Sequence, residues 1–185
     1  MMKLEQWLDI AREAKQAGML YLLLTGGEPF LWPDFWKLYE QLTAMGFLVS
    51  INSNGTLIDG EAIRRLKANP PTRINITLYG ASEESYQNLC GDGDAYNRVR
   101  RAVEWLKHYG IPVKFNTSVT PENANDLEDI IAYAHSVESP IQVATYMFPP
   151  VRRDPGMIGQ NHRLSPEEAA LARVKADFLQ GDPNW

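Results

Sequence analysis

Residues 74–79 read INITLY. Side chains of a strand alternate between its two faces, so Ile74, Ile76 and Leu78 share one side and Asn75, Thr77 and Tyr79 the other. A strand of a doubly wound sheet is covered by helices on both faces and reads as a continuous apolar run. A period of two with a polar face predicts something different: a curved sheet with helices outside and a wet, ligand-lined concave face. The same alternation recurs along the chain. Val113, Phe115, Thr117 and Val119 oppose Lys114, Asn116 and Ser118, and Val49 and Ile51 oppose Ser50, Asn52 and Asn54.

Between these strands lie helical patterns. Leu4, Trp7, Leu8, Ala11 and Ala14 recur at helical spacing before Gly18, and Pro33-Asp34 opens a second pattern (Phe35, Leu38, Leu42, Met45) that stops at Gly46. Further helices are expected around Glu61 to Lys67, through Tyr96, Val99, Val103 and Leu106, and through Leu127, Ile130, Ile131 and Ala134. Ser165-Pro166-Glu167-Glu168 combines an N-cap, a first-turn proline and the acid of a capping box, and so starts the last helix. With strands at Met19–Leu24, Phe47–Ile51, Ile74–Leu78, Val113–Val119 and Ile141–Met147, five strands and six helices alternate. Strand starts about 27 to 38 residues apart suit βα units with right-handed crossovers. The expectation is an α/β fold, a partial (β/α) barrel of parallel strands, with residues 1–185 forming a single domain.

Composition narrows the function. Of 185 residues, 44% are hydrophobic and 22% charged, an ordinary globular balance. A net charge of -5 with scattered basic residues argues against a nucleic acid or an anionic membrane as partner. The apolar run Met19–Leu24 is far short of the roughly 20 residues of a membrane span. The N-terminal stretch MMKLEQWLDIAREAKQ carries charges throughout instead of a signal peptide's apolar centre, which points to the cytoplasm.

Sites in parallel α/β folds gather at the carboxyl ends of strands. The tips here are Thr25-Gly26-Gly27-Glu28-Pro29, Asn52-Ser53-Asn54-Gly55, Thr77-Leu78-Tyr79-Gly80, Asn116-Thr117-Ser118 and Met147-Phe148-Pro149-Pro150. They offer amides, hydroxyls and bare glycine backbone, with no nucleophile–base pair, no phosphate loop and no histidine cluster. Such a surface suits a polar zwitterion or a sugar.

In order along the chain, LTGGEPFLWPDF, INSNGTLI, ITLYGASEESY, NRVRRAVEWLKHYGIPVKFNTSVTPEN and the YMFPPVRRD and LSPEEAA segments resemble the core of radical S-adenosylmethionine (SAM) enzymes. The likeness is to the branch of anaerobic sulfatase maturases and SPASM-type peptide maturases, and it implies a peptide or protein substrate. It implies that the turn Gly26, Gly27, Glu28, Pro29 offers backbone oxygens to the amino group of SAM, glycine allowing close approach and proline fixing the exit. It further implies that Thr77 lies near the SAM ribose or carboxylate, that Asn52, Asn54 and Asn116 contact the nucleoside half, and that Met147 to Pro150 border the adenine. Taken alone, Gly-Gly-Glu-Pro and Asn54-Gly55 are ordinary tight turns; the other segments in register carry the resemblance. Tyr79, Tyr146 and Met147 read as packing residues ahead of chemical ones, Arg152 and Arg153 as solvated partners of Asp154 ahead of a rim site for an acidic substrate group, and His108, His135 and His162 as surface groups.

Members of that family hold a 4Fe-4S cluster through three cysteines of a Cys-x-x-x-Cys-x-x-Cys loop after the first strand. This sequence has one cysteine, Cys90, in another segment, and so has no metal ligand set. The resemblance implies a truncated core: the cluster, its loop and the first strand belong to a longer parent, and the chain alone is inactive. Met19–Leu24 is then an exposed edge that pairs with a neighbouring molecule, making a dimer, or is covered by a terminus. Two rival readings are a cluster-free barrel that binds SAM or a nucleoside without catalysis, and an unrelated barrel lyase. The lyase needs a strand-end lysine, whereas Lys114 sits at a strand start.

Overall fold

The structure is a computed structural model that describes residues 2–147 and 163–181. Its helices are α1 (Leu4–Gln16), α2 (Phe35–Ala44), α3 (Gly60–Ala68), α4 (Glu83–Cys90), α5 (Ala95–His108), α6 (Leu127–Ser136) and α7 (Pro166–Gln180). The strands are β1 (Tyr21–Leu24), β2 (Leu48–Ser53), β3 (Arg73–Thr77), β4 (Val113–Ser118) and β5 (Ile141–Ala144), with short 3-10 turns at Pro29–Leu31 and Ala124–Asp126. The strands form one sheet in the order β1-β2-β3-β4-β5, parallel, with no closure among the described residues. A doubly wound sheet reverses its strand order midway; this one never does, and unreversed right-handed crossovers put helices on one face. The INITLY alternation is explained by that topology.

Seven α-helices stand where six were expected, because the stretch after β3 holds α4 as well as α5. The signals of α4 are its ends: Ser82 caps it, accepting from the Ser85 amide at 3.1 Å, and Gly91 closes it at φ 74°. Its buried face is only Ser85 and Tyr86, too small to show as helical periodicity. The strand expected over Ile141–Met147 ends at Ala144, leaving Met147 beyond it.

The chain divides into two compact units, residues 1–76 with 98–113, and residues 77–97 with 114–185. In the first, Val49, Ile51, Leu66, Ile74, Ile76, Val103 and Leu106 are buried beneath the helices. Each such side chain contributes about 1.5–3 kcal/mol of transfer free energy. Tyr39, also buried, donates to the Asn69 carbonyl at 2.6 Å; burial raises its phenol pKa far above the ordinary value. At the rim, β1 hydrogen-bonds along one side only and leaves Tyr21 and Leu23 exposed. The edge anticipated at Met19–Leu24 is therefore present.

In the second unit, Val119, Leu127, Ile131, Val143, Leu164, Ala169 and Ala176 make the core. Helix α7 begins with the expected capping box, Ser165 accepting from the Glu168 amide at 3.2 Å and Glu168 from the Ser165 amide at 2.8 Å. Two side chains fasten the chain beyond β3 to the chain beyond β4. Asn123 donates to the carbonyls of Tyr79 (3.0 Å) and Ser118 (3.1 Å) and accepts from the Thr120 amide at 2.8 Å. Asp126 accepts from the Ala81 amide at 2.8 Å and from the Ser85 hydroxyl. Gly80 lies so close beneath them that a Cβ would sit 2.3 Å from that of Ser85. Gly80→Ala should therefore cost about 1–3 kcal/mol, at about 2–4 °C of melting temperature per kcal/mol. Gly60→Ala, with open space around its Cβ, should not lower stability; thermal denaturation of both variants compares them.

Candidate functional site

In the first unit, β1 ends at Leu24 and the chain turns through Gly26 and Gly27, both exposed. Neither glycine has a positive φ, and a Cβ at either would meet nothing within 4 Å. Nothing among the described residues requires glycine there; what the pair provides is backbone that those residues leave uncovered. Pro29 is buried at the start of the 3-10 turn, and the rings of Phe30 and Phe35 pack 4.6 Å apart behind it.

Glu28 faces away from that open space. Its Oε1 accepts from the Phe30 amide at 3.2 Å and from the Ser53 hydroxyl at 3.0 Å, and its Oε2 accepts from the Asn54 amide at 2.7 Å. Ser53 is 4% exposed and also accepts from the Gly55 amide at 2.9 Å. The carboxylate thus joins the β1 turn to the end of β2. Asn54 folds its own turn: Oδ1 accepts from the Thr56 amide (2.9 Å) and hydroxyl (2.7 Å). Asn52 pairs directly across from Asn75, whose Nδ2 donates to Asn52 Oδ1 at 2.6 Å. Asn75 is 6% exposed and its Oδ1 has no hydrogen-bond partner. That leaves an acceptor on the polar face unmet by the protein.

In the second unit a cavity of about 580 Å³ is lined by Thr77, Tyr79, Asn88, Leu89, Ser118, Thr120, Glu122 and Met147. Thr77 and Met147 both line this cavity, while Asn116, half-buried on β4, is not among its described lining. Hydroxyls, an amide and a carboxylate alternate with Leu89 and Met147, and none of these described lining residues is a lysine, arginine or histidine. Its wall is held by Asn123 at the Tyr79 and Ser118 carbonyls. Phe148, Pro149, Pro150, Arg152, Arg153, Asp154 and His162 lie outside the described residues. His108 and His135 are exposed at the last turns of α5 and α6, consistent with surface roles.

Sequence reasoning missed Ser53, Asn75, Asn123 and Asp126. Ser53 falls within a quoted strand tip and Asn123 within a segment carrying the resemblance, neither with a role, and Asp126 is not singled out. None carries a local signal for its distant partner.

An iron–sulfur cluster does not fit these residues. The single cysteine, Cys90, is exposed at the end of α4, and desolvation followed by the charge of Asp92 raises its thiol pKa, against the thiolate a cluster needs. Among the described residues no group of three metal-binding side chains occurs.

The chain is 28% identical over 142 residues to an AdoMet-dependent heme synthase of Methanosarcina barkeri, which covers 77% of this chain and 41% of that protein. It is 34% identical over 130 residues to the mycofactocin maturase MftC of Mycobacterium ulcerans, covering 70% of this chain and 35% of that one. Crystal structures of Streptococcus suis SuiB bound to S-adenosylmethionine and to the precursor peptide SuiA superpose with TM-scores of 0.78 and 0.77, over 97% and 98% of this chain and 41% and 40% of theirs. At 16% and 17% identity that likeness is one of fold, and it supports the unclosed parallel α/β barrel. The chain thus spans less than half the length of these relatives. The radical SAM superfamily profile matches residues 1–134, well over half of the sequence, and the chain belongs to that superfamily.

Proposed function

We propose that these 185 residues are the SAM-binding core of an enzyme that modifies a peptide or protein. In full-length form such an enzyme reductively cleaves SAM with a 4Fe-4S cluster to generate a 5′-deoxyadenosyl radical. The observation that carries the reading is the bare backbone of Gly26 and Gly27, which no packing or strain within the chain explains and an approaching ligand does. In this reading the turn Gly26 to Pro29 holds the SAM amino group, Thr77 and Met147 border the nucleoside in their cavity, and Asn52, Asn54 and Asn116 supply further polar contacts. The peptide substrate is supported by relatives whose names are those of maturases and by SuiB, solved with its precursor peptide. One cysteine favours a second reading of the chain taken by itself: a module that binds SAM without cleaving it.

Gly27→Val tests the ligand directly. It should leave the melting temperature within a few degrees, because its Cβ meets nothing, yet weaken SAM binding about tenfold or more in calorimetry. Equal binding by both proteins would remove the turn from the site. The two readings separate on anaerobic reconstitution with iron and sulfide. This chain should develop no cluster absorbance and form no 5′-deoxyadenosine, whereas a protein that also carries three suitably spaced cysteines should do both.

The edge at Met19–Leu24 is proposed as a self-association surface. Tyr21 is 68% and Leu23 51% exposed beside backbone groups with no neighbouring strand. Light scattering should find a dimer, and Leu23→Lys should return it to monomer.

A further inference from the structure

The pair Gly26-Gly27 is the most conformationally free dipeptide a turn can contain, and among the described residues nothing lies within 4 Å of where a Cβ would sit on either. A ligand held by that backbone would pay for ordering it unless a neighbour had already done so. The neighbour is Glu28. Its carboxylate takes three hydrogen bonds, two of them from Ser53 and Asn54 across on the end of β2. Ser53 is the hinge pin of this arrangement: nearly fully buried, it receives the Gly55 amide and gives its own proton to Glu28. Buried Pro29 and the Phe30–Phe35 contact fix the exit side. The glycines are thus anchored on the side of Glu28 and left bare on their open face.

The three donors to Glu28 are two amides and a hydroxyl, none of them charged. Its negative charge is therefore not cancelled by these contacts, and it stands one residue from the exposed glycine backbone. Carbonyl oxygens backed by an anion favour a cationic ligand group such as an ammonium, while the carboxylate itself, committed to its donors, does not need to touch it.

Resting on the SAM reading above, we propose that Ser53 and the Glu28 side chain are positioning residues: through their mutual hydrogen bond they hold the Gly26-Gly27 backbone ready for the ammonium-bearing, amino-acid half of the ligand, without contacting it. Selectivity for a ligand with that half over one without it is built into the clamp.

The test compares SAM with 5′-methylthioadenosine, which shares the adenosine and thioether but lacks the amino-acid portion. Ligand-observed NMR titration of this chain reaches the weak affinities expected without a cluster. Ser53→Ala and Glu28→Gln, each keeping close to native shape, should weaken SAM about fivefold to tenfold, the scale of one typical net hydrogen bond. Both should leave 5′-methylthioadenosine within about twofold. In the same variants, without ligand, hydrogen exchange at the Phe30 and Asn54 amides should accelerate while exchange in β3 stays unchanged. If the native chain binds SAM and the variants bind both ligands as it does, or lose both in parallel, the clamp is not a positioning device and the SAM reading stands. If the native chain binds neither ligand, the SAM reading fails and this proposal with it.

Discussion

Where parallel strands end, the backbone leaves the sheet ladder, yet its polar groups still need partners. This protein meets that constraint with a few side chains that each serve more than one backbone group. Glu28 binds the Phe30 and Asn54 amides together with the Ser53 hydroxyl. Asn123 serves three backbone groups, and Asp126 an amide and a hydroxyl. Each unit thus contains loops whose conformation is determined by one or two polar residues, and removing any of these would leave several groups unsatisfied at once.

Those anchors decide what else the loops can do. Because Glu28 fastens its turn from behind, Gly26 and Gly27 need no side chain to hold them and can expose backbone. Because Asn123 and Asp126 fasten the stretch after β3, Tyr79 can stand at a cavity wall, and Gly80 can lie in a space that admits no Cβ. Apolar burial supplies the stability; the polar anchors convert a stable sheet into a surface with defined edges. Asn75 in the first unit keeps an unmet acceptor, and hydroxyls line the cavity of the second.

The chemistry available to these residues is that of holding an organic molecule. Carbonyls, amides and hydroxyls can grip an ammonium group and a sugar, but one exposed cysteine with a raised pKa cannot bind a redox cluster. Residues 1–134 match the radical SAM superfamily, and within that match the glycine turn presents backbone that the described residues leave uncovered.

Much of the architecture was legible residue by residue. The alternation of Ile74 to Tyr79 and of Val113 to Val119 announced a sheet with unlike faces, and Ser165-Pro166-Glu167-Glu168 announced α7, because periodicity and capping act within a few residues. Helix α4 escaped notice because only its caps, and hardly any apolar stripe, mark it. The positions of the glycine turn and the strand tips could be named in advance, but not which side chain on them faces a ligand. Glu28 looked like part of a binding loop and proved to be turned toward β2; Ser53, Asn123 and Asp126 looked like nothing in particular. Their partners lie 25 residues away for Ser53 and Glu28, 44 for Asn123 and Tyr79, and 45 for Asp126 and Ala81. The amino-acid order alone determined the elements and their polar ends, since those follow from short-range rules. Which polar end anchors and which is left open was decided by the tertiary structure, since only the folded topology brings such distant groups within hydrogen-bond reach.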